Sequence, residues 1–227
     1  MLIGILQTGH FLDRADATHG DYDDMFKRLL SSHGLTFRTW NVVDMDFPDS
    51  IAEAQGWLIT GSRHGVYEDH PFIPPLEEFI CRAYAKSVPL VGICFGHQII
   101  AQALGGRVEK FSGGWGVGRH VYDFEGETLA LNAVHQDQVV ERPARARTIA
   151  TSAFCENAAL LYEGKALTIQ AHPEFDRPVQ ETLLHALRDR GVPPDRIDRA
   201  METLDDPLDR DVLARRIADF FKETAHG

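Results

Sequence analysis

Gly92-Ile93-Cys94-Phe95-Gly96 is the segment of this chain best suited to covalent chemistry. It joins an apolar, strand-like run at residues 88–93 to an apolar, helix-like run at residues 98–104. A nucleophile flanked by glycines at such a junction describes a tight turn that lifts the side chain above the carboxyl edge of a sheet. The backbone there is strained and tolerates only small neighbours, which Gly92 and Gly96 supply. The helix that follows points its N-terminus at the sulfur, which favours thiolate. The alternative is a buried structural cysteine, since free Cys is among the most buried residue types. The two glycines at this spacing favour the nucleophile. Cys81 and Cys155 lack such surroundings and read as structural, one on a helix and one in a loop.

A thiolate nucleophile needs a proton carrier, and that carrier needs orienting. Gln170-Ala171-His172-Pro173-Glu174 follows an apolar strand-like run. Pro173 disfavours helical backbone at His172, so the stretch reads as extended. Residues two apart in an extended chain face the same side, so Glu174 can reach one ring nitrogen of His172. The other nitrogen is left for a thiol. Cys94, His172 and Glu174 then follow the nucleophile–base–acid logic of a triad. Acyl transfer also needs amide donors aimed at a developing oxyanion. Phe95 offers one, and Gly61 in Thr60-Gly61-Ser62 is the candidate for a second, although an ordinary strand-to-helix turn fits Gly61 equally well. Ser112-Gly113-Gly114-Trp115-Gly116-Val117-Gly118 has G-x-G spacings without the Lys-Ser/Thr ending of a phosphate loop. A backbone-lined substrate wall and a plain turn both remain open for it. His10, His19, His33, His64, His70, His120, His185 and His226 carry no comparable pattern and read as surface or loop residues.

The elements that must position these groups alternate between short apolar strands and helix-patterned segments. Strands are expected at residues 2–6, 36–43, 56–60, 88–93 and 166–171, with helices at 22–32 and 76–86. Alternation of this kind argues for an open, mostly parallel α/β sheet flanked by helices. Residues 108–149 change character, with many glycines and β-like pieces at 119–124 and 128–131, as in an antiparallel excursion on the main sheet. From Phe175 the pattern is helical, broken at Gly191-Val192-Pro193-Pro194 and near Pro207. The expectation is one domain over residues 1–227, with residues 178–227 as a helical C-terminal appendage.

Composition narrows the function classes. The chain has 227 residues, of which 44% are hydrophobic and 25% charged, a balance that can bury a core without staples. A net charge of −11 argues against binding nucleic acid by phosphate neutralisation. Arg142, Arg145 and Arg147 form only a short basic turn. No apolar run approaches the ~20 residues of a membrane span. The apolar start, Met1-Leu2-Ile3-Gly4-Ile5-Leu6, lacks a basic leader and reads as a buried strand. Three cysteines without a C-x-x-C pair argue against a disulfide framework. A cytoplasmic location is the resulting expectation. No metal cluster or cofactor is implied.

Val91-Gly92-Ile93-Cys94-Phe95-Gly96-His97-Gln98-Ile99-Ile100, with Leu104-Gly105-Gly106, resembles the nucleophile motif of the class I, triad-type glutamine amidotransferases. With H-P-E and the T-G-S turn, the resemblance extends from the first strand through Glu174. It is nearest to GMP-synthase-like domains and free-standing γ-glutamyl peptidases, and implies the flavodoxin-like sheet of that family. It also implies that Cys94 forms a γ-glutamyl thioester, with His172 and Glu174 completing the triad and Gly61 and Phe95 the oxyanion hole. Gln98 matches a position that contacts the glutamyl end of the substrate. Gly113, Gly114 and Trp115 match a stretch lining the same pocket, and His135 matches a segment beside it. His97 belongs to the motif as packing. Arg63-His64 departs from the glycine or proline that many synthase-type members carry.

The implied activity is hydrolysis of the glutamine side-chain amide or of another γ-glutamyl amide, on a small-molecule substrate. No synthetase domain or S-G-G-x-D-type nucleotide loop accompanies it, and the helical tail resembles that of the free-standing peptidases. One alternative is a glutaminase subunit that feeds ammonia to a separate synthetase. Another is a catalytically silent binding or redox-sensing protein on the same fold.

Overall fold

The computed structural model describes residues 1–12, 18–188 and 190–224. The first half alternates β1 (Leu2–Leu6), α1 (Tyr22–Leu29), β2 (Thr36–Trp40), β3 (Gly56–Ile59), α2 (Ile73–Ala85), β4 (Leu90–Ile93) and α3 (Phe95–Ala103). Short strands then run through β5 (Arg107–Lys110), β6 (Gly116–Phe124), β7 (Glu127–His135), β8 (Asp137–Glu141), β9 (Ala146–Ala150), β10 (Ala159–Tyr162) and β11 (Ala166–Ile169). The chain closes on α4 (Arg177–Leu187), α5 (Pro194–Glu202) and α6 (Arg210–Thr224).

Seven strands form the main sheet in the order β2-β1-β3-β4-β11-β10-β9. The first five are parallel, and β10 runs antiparallel to both of its neighbours. Every residue of β3, β4 and β11 is buried, as expected for strands covered on both faces. The expected excursion takes the form of two separate ribbons. β6 and β7 pair from Gly116↔His135 to Phe124↔Glu127, and β5 pairs with β8. Glu125 and Gly126 both have positive φ (54° and 95°), the geometry of a two-residue hairpin turn that matches strand twist.

Element ends differ from expectation for local reasons. α1 starts on a capping box between Asp21 and Asp24 but stops at Leu29, where a 3-10 turn over Ser31–His33 takes over. β2 ends at Trp40 because the chain folds into another 3-10 turn at Val42–Asp44. α2 begins at Ile73 with prolines in its first turn, where their missing N–H groups are harmless.

Alternation along the strands divides the core between the two sheet faces. Ile3, Ile5, Val91 and Ile93 pack with Phe26 of α1 and with Leu213, Ile217 and Phe221 of α6. Leu6, Trp57 and Ile59 pack with Leu76, Phe79 and Ile80 of α2 and Ile99 of α3. A third cluster joins Phe11, Tyr22 and Phe175 to Val179 and Leu184 of α4 and Ile197 of α5. The last helix is also tied to β7. Asp209 donates its N–H to Ala130 O at 2.8 Å, and its Oδ2 accepts the Ala130 N–H at 2.8 Å. Among the described residues, no helix is long and apolar enough to cross a membrane.

Because Phe221 is fully buried against β1 and β4, Phe221→Ala should cost about 3–5 kcal/mol of stability. The midpoint of urea unfolding measures this. A loss below ~1 kcal/mol, the range of ordinary surface substitutions, would show that α6 is peripheral to the core.

Candidate active site

Three adjacent parallel strands, β3, β4 and β11, deliver Gly61, Cys94 and His172 from their carboxyl ends. That edge is where open α/β sheets bind ligands. Cys94 sits between β4 and α3 with φ 52° and ψ −101°, a conformation that L-residues rarely hold. Several contacts fix it. Cys94 donates its N–H to Ile169 O at 2.8 Å, and Gly96 donates to Thr60 O at 3.1 Å. A Cβ on Gly96 would stand 2.2 Å from Ile59 O, and one on Gly92 would stand 2.4 Å from Gly96 O. Neither position admits a side chain while α3 keeps this approach to β3.

His172 follows β11 and is held by its backbone, its ring and its neighbours. Its N–H donates to Asn132 O on β7 at 2.8 Å. Nδ1 lies 2.6 Å from Glu174 Oε1, and the ring stacks on Phe175 with centroids 4.1 Å apart and planes 3° from parallel. With Nδ1 engaged by Glu174, Nε2 is the ring nitrogen left for the Cys94 sulfur. Burial alone would lower the His172 pKa. The Glu174 carboxylate and the Cys94 sulfur outweigh it and raise the pKa to about 10. The His-Pro-Glu turn is clamped from outside by Arg210 of α6, whose Nε donates to Pro173 O at 2.7 Å and whose terminal nitrogen donates to Glu174 O at 3.2 Å.

These groups open onto a cavity of about 390 Å³ whose walls include Cys94, His172, Ser62, Gln98, Trp115 and His135. Gly61 borders the pair directly. A Cβ there would meet His172 Cε1 at 2.9 Å and Cys94 Cβ at 3.8 Å. The buried Thr8 hydroxyl lies 3.0 Å from both Thr60 O and Gly61 O. In a trans peptide the N–H points opposite to the C=O, so this arrangement turns the Gly61 and Ser62 amides away from Thr8. Phe95 opens α3, where an amide has no partner within its own helix.

The remaining sequence candidates divide. Gln98 is buried, and its amide already donates to Asp137 O at 2.9 Å and Gln170 Oε1 at 3.1 Å, so it braces the cavity wall. His135 is buried with its pKa pushed down to about 3, by burial first and then by His120 and His172, which keeps the ring neutral. Trp115 lines the cavity, whereas Gly113 and Gly114 lie in the turn before it and do not. His97 is packing, as expected: it is fully buried, with Nδ1 2.7 Å from Thr168 Oγ1.

Sequence reasoning set aside His10 and His64, and missed Tyr22 and Arg190, all of which line the cavity. They come from separate loops and helices, and no local spacing marks them. Arg210 was invisible for the same reason. His226 lies outside the described residues. Cys81 is exposed and Cys155 buried, both as free thiols. Burial pushes the Cys155 thiol up to about 12, which removes it as a nucleophile.

A thiol, imidazole and carboxylate in this order, beside backbone amides at a helix N-terminus, are suited to acyl transfer through a thioester. Comparisons with known proteins identify the family. The model of the family described as glutamine amidotransferase class-I matches residues 19–189. The chain is 32% identical to gamma-glutamyl peptidase 4 of Arabidopsis thaliana, over 73% of this chain and 72% of that protein. It is 39% identical to a glutamine-hydrolyzing GMP synthase subunit of Archaeoglobus fulgidus, over 69% of this chain and 85% of that one. A solved glutamine amidotransferase from Methylobacillus flagellatus has the same fold, with a TM-score of 0.76 at 21% identity, covering 100% of this chain and 93% of that one. With the family model spanning most of its length, the chain belongs to the class I glutamine amidotransferases.

Proposed function

We propose that this protein hydrolyses γ-glutamyl amide bonds, in glutamine or in γ-glutamyl compounds, through a γ-glutamyl thioester on Cys94. The observation that carries the reading is the buried line from Cys94 through His172 to Glu174 beside the cavity. With the His172 pKa raised to about 10, the ring is an imidazolium at neutral pH, and Cys94 reacts as the thiolate, the nucleophilic form of a cysteine. The thiolate attacks the γ-carbonyl carbon, and the carbonyl oxygen takes the negative charge toward the amides of Phe95 and Gly61. As the C–N bond breaks, His172 Nε2 gives its proton to the leaving nitrogen. The neutral imidazole then takes a proton from water, whose oxygen attacks the thioester carbon. The C–S bond breaks, glutamate leaves, and the ion pair is restored.

Gln98, Trp115 and His135 make up the wall against which the glutamyl part rests in this reading. Gly113 and Gly114 shape the turn that carries Trp115. Arg63, Lys110 and Arg190 also border the cavity and offer cations to the carboxylates of a γ-glutamyl peptide. A second reading rests on the 39% identity to the archaeal GMP synthase subunit: the same triad would release ammonia for a separate synthetase. The two differ in one observable. A self-sufficient hydrolase turns over γ-glutamyl dipeptides by itself, whereas a glutaminase subunit stays slow until its synthetase is added.

Glutamate release from L-glutamine and from γ-glutamyl dipeptides should fall by roughly 10,000-fold or more in Cys94→Ser. Normal turnover by that variant would end the thioester mechanism. The pH profile gives an independent check. The imidazolium form is present below the His172 pKa and lost above it, so kcat/KM should decline on the alkaline side near pH 10. Glu174 is the strongest of the influences that raise this pKa. Glu174→Gln should therefore move the alkaline limb to lower pH, with a smaller loss of rate than Cys94→Ser. An unmoved limb would mean that Glu174 does not set the charge of His172.

A further inference from the structure

The loop between β3 and α2 carries a second convergence of chemical groups that the triad does not use. Among the described residues, His64, Glu68 and His70 are the one group of three with ligand atoms within 4.8 Å of one another. His70 Nε2 lies 2.8 Å from Glu68 Oε2, and His64 Nδ1 lies 3.7 Å from the same oxygen. A tetrahedral zinc site has bonds of about 2.0–2.2 Å, which spaces its ligand atoms roughly 3.3–3.6 Å apart. The two observed separations straddle that spacing, so small side-chain rotations suffice to close the site.

The rings are held for the purpose. Their centroids are 4.0 Å apart, and both lie against Phe72, at 5.9 Å for His64 and 5.8 Å for His70. Phe72 is buried, so it offers a fixed backing. The loop backbone is fixed as well. Glu68 donates its N–H to Gly65 O at 3.1 Å, His70 to Glu68 O at 3.0 Å, and His64 to Ser62 Oγ at 3.2 Å. An ordinary surface ion pair accounts for His70 and Glu68 but leaves His64 facing a second imidazole.

We propose that His64, Glu68 and His70 form a binding site for a divalent transition-metal ion, zinc before others, with water completing the coordination. Two imidazoles and one carboxylate suit zinc and disfavour magnesium and calcium, which take oxygen ligands. His64 and Glu68 also line the cavity that holds Cys94, so the ion sits in its wall. The site is independent of the hydrolytic reading, since it does not involve the triad.

The test is calorimetric titration of the untagged full chain with zinc chloride, in a Cys94→Ala background. That background removes the thiol, which with His172 would itself attract zinc. One zinc per chain should bind saturably, and magnesium at the same concentrations should not. His64→Ala and His70→Ala should each weaken zinc binding roughly 100-fold or more, because even outer-shell partners of a metal are worth 10–100-fold. His185→Ala, at an exposed position on α4, should leave the isotherm unchanged. Glu68→Gln gives a third ligand variant with the imidazole backing intact, and it should also weaken binding. Zinc should raise the melting temperature of the Cys94→Ala protein and not that of the ligand variants. Absence of saturable zinc binding to the Cys94→Ala chain would overturn the assignment. So would binding that survives either histidine substitution in a folded variant.

Discussion

The contact between Gly96 and the carbonyl of Ile59 governs the geometry of the whole site. With a would-be Cβ 2.2 Å from that oxygen, the first turn of α3 lies directly on the end of β3. This approach requires the chain to reverse sharply after β4, and Cys94 takes the reversal at φ 52°. A conformation of this kind costs about 1–3 kcal/mol and persists only where the surroundings over-determine it. Here the flanking amides of Cys94 and Gly96 bond to carbonyls of β11 and of Thr60 just after β3, on either side of β4. The strain is thus distributed over three strands, and its result is a sulfur raised above the sheet with a helix N-terminus beneath it. The same packing puts Gly61 beside the sulfur and leaves no room there for any larger residue.

Charge organises the second half of the site. Glu174 is buried with His172, and an unpaired carboxylate in that position would be expensive. Its stability depends on a positive imidazole, and the imidazole is positive because the carboxylate and the sulfur face its two nitrogens. The backbone that carries them is pinned from β7 by Asn132 and from α6 by Arg210. Residues from opposite ends of the chain, Phe11 in the third core cluster and Arg210 behind the His-Pro-Glu turn, thus frame one small set of reacting atoms. The C-terminal helices are part of this frame, since α6 fills the core under β1 and β4 and also supplies the guanidinium behind His172.

What could be read from the sequence was local in character. The elbow at Cys94 and the His172-Pro173-Glu174 turn are each determined within five residues, so their patterns survive without knowledge of the fold. Strands buried on both faces, β1, β3, β4 and β11, announce themselves by runs that are almost wholly apolar, broken only by Thr168. The antiparallel strands β8 and β9 do not, because each mixes buried with exposed positions. Cavity walls were the least legible part. Tyr22 and Arg190 line the cavity only because α1 and the α4–α5 connection converge on one sheet edge. Gln98 illustrates the limit in the other direction: its place in the motif is local and visible, but its two hydrogen bonds to Asp137 and Gln170 are tertiary facts.

That distinction bears on how specificity is divided from chemistry in this protein. Cys94 and the His172–Glu174 pair are set by short, stiff segments at strand ends, and their geometry follows from backbone packing that tolerates almost no substitution at Gly92 and Gly96. The walls are set by side chains on loops and helices, where changes in residue type leave the sheet untouched. Arg63, His64 and Glu68 belong to a loop that leaves β3 immediately after Gly61, so one short segment joins the rigid part of the site to its adjustable rim. The Thr8 hydroxyl separates the two. By holding the Thr60 and Gly61 carbonyls it fixes the peptides beside Cys94, and the loop beyond Ser62 can then vary without disturbing them.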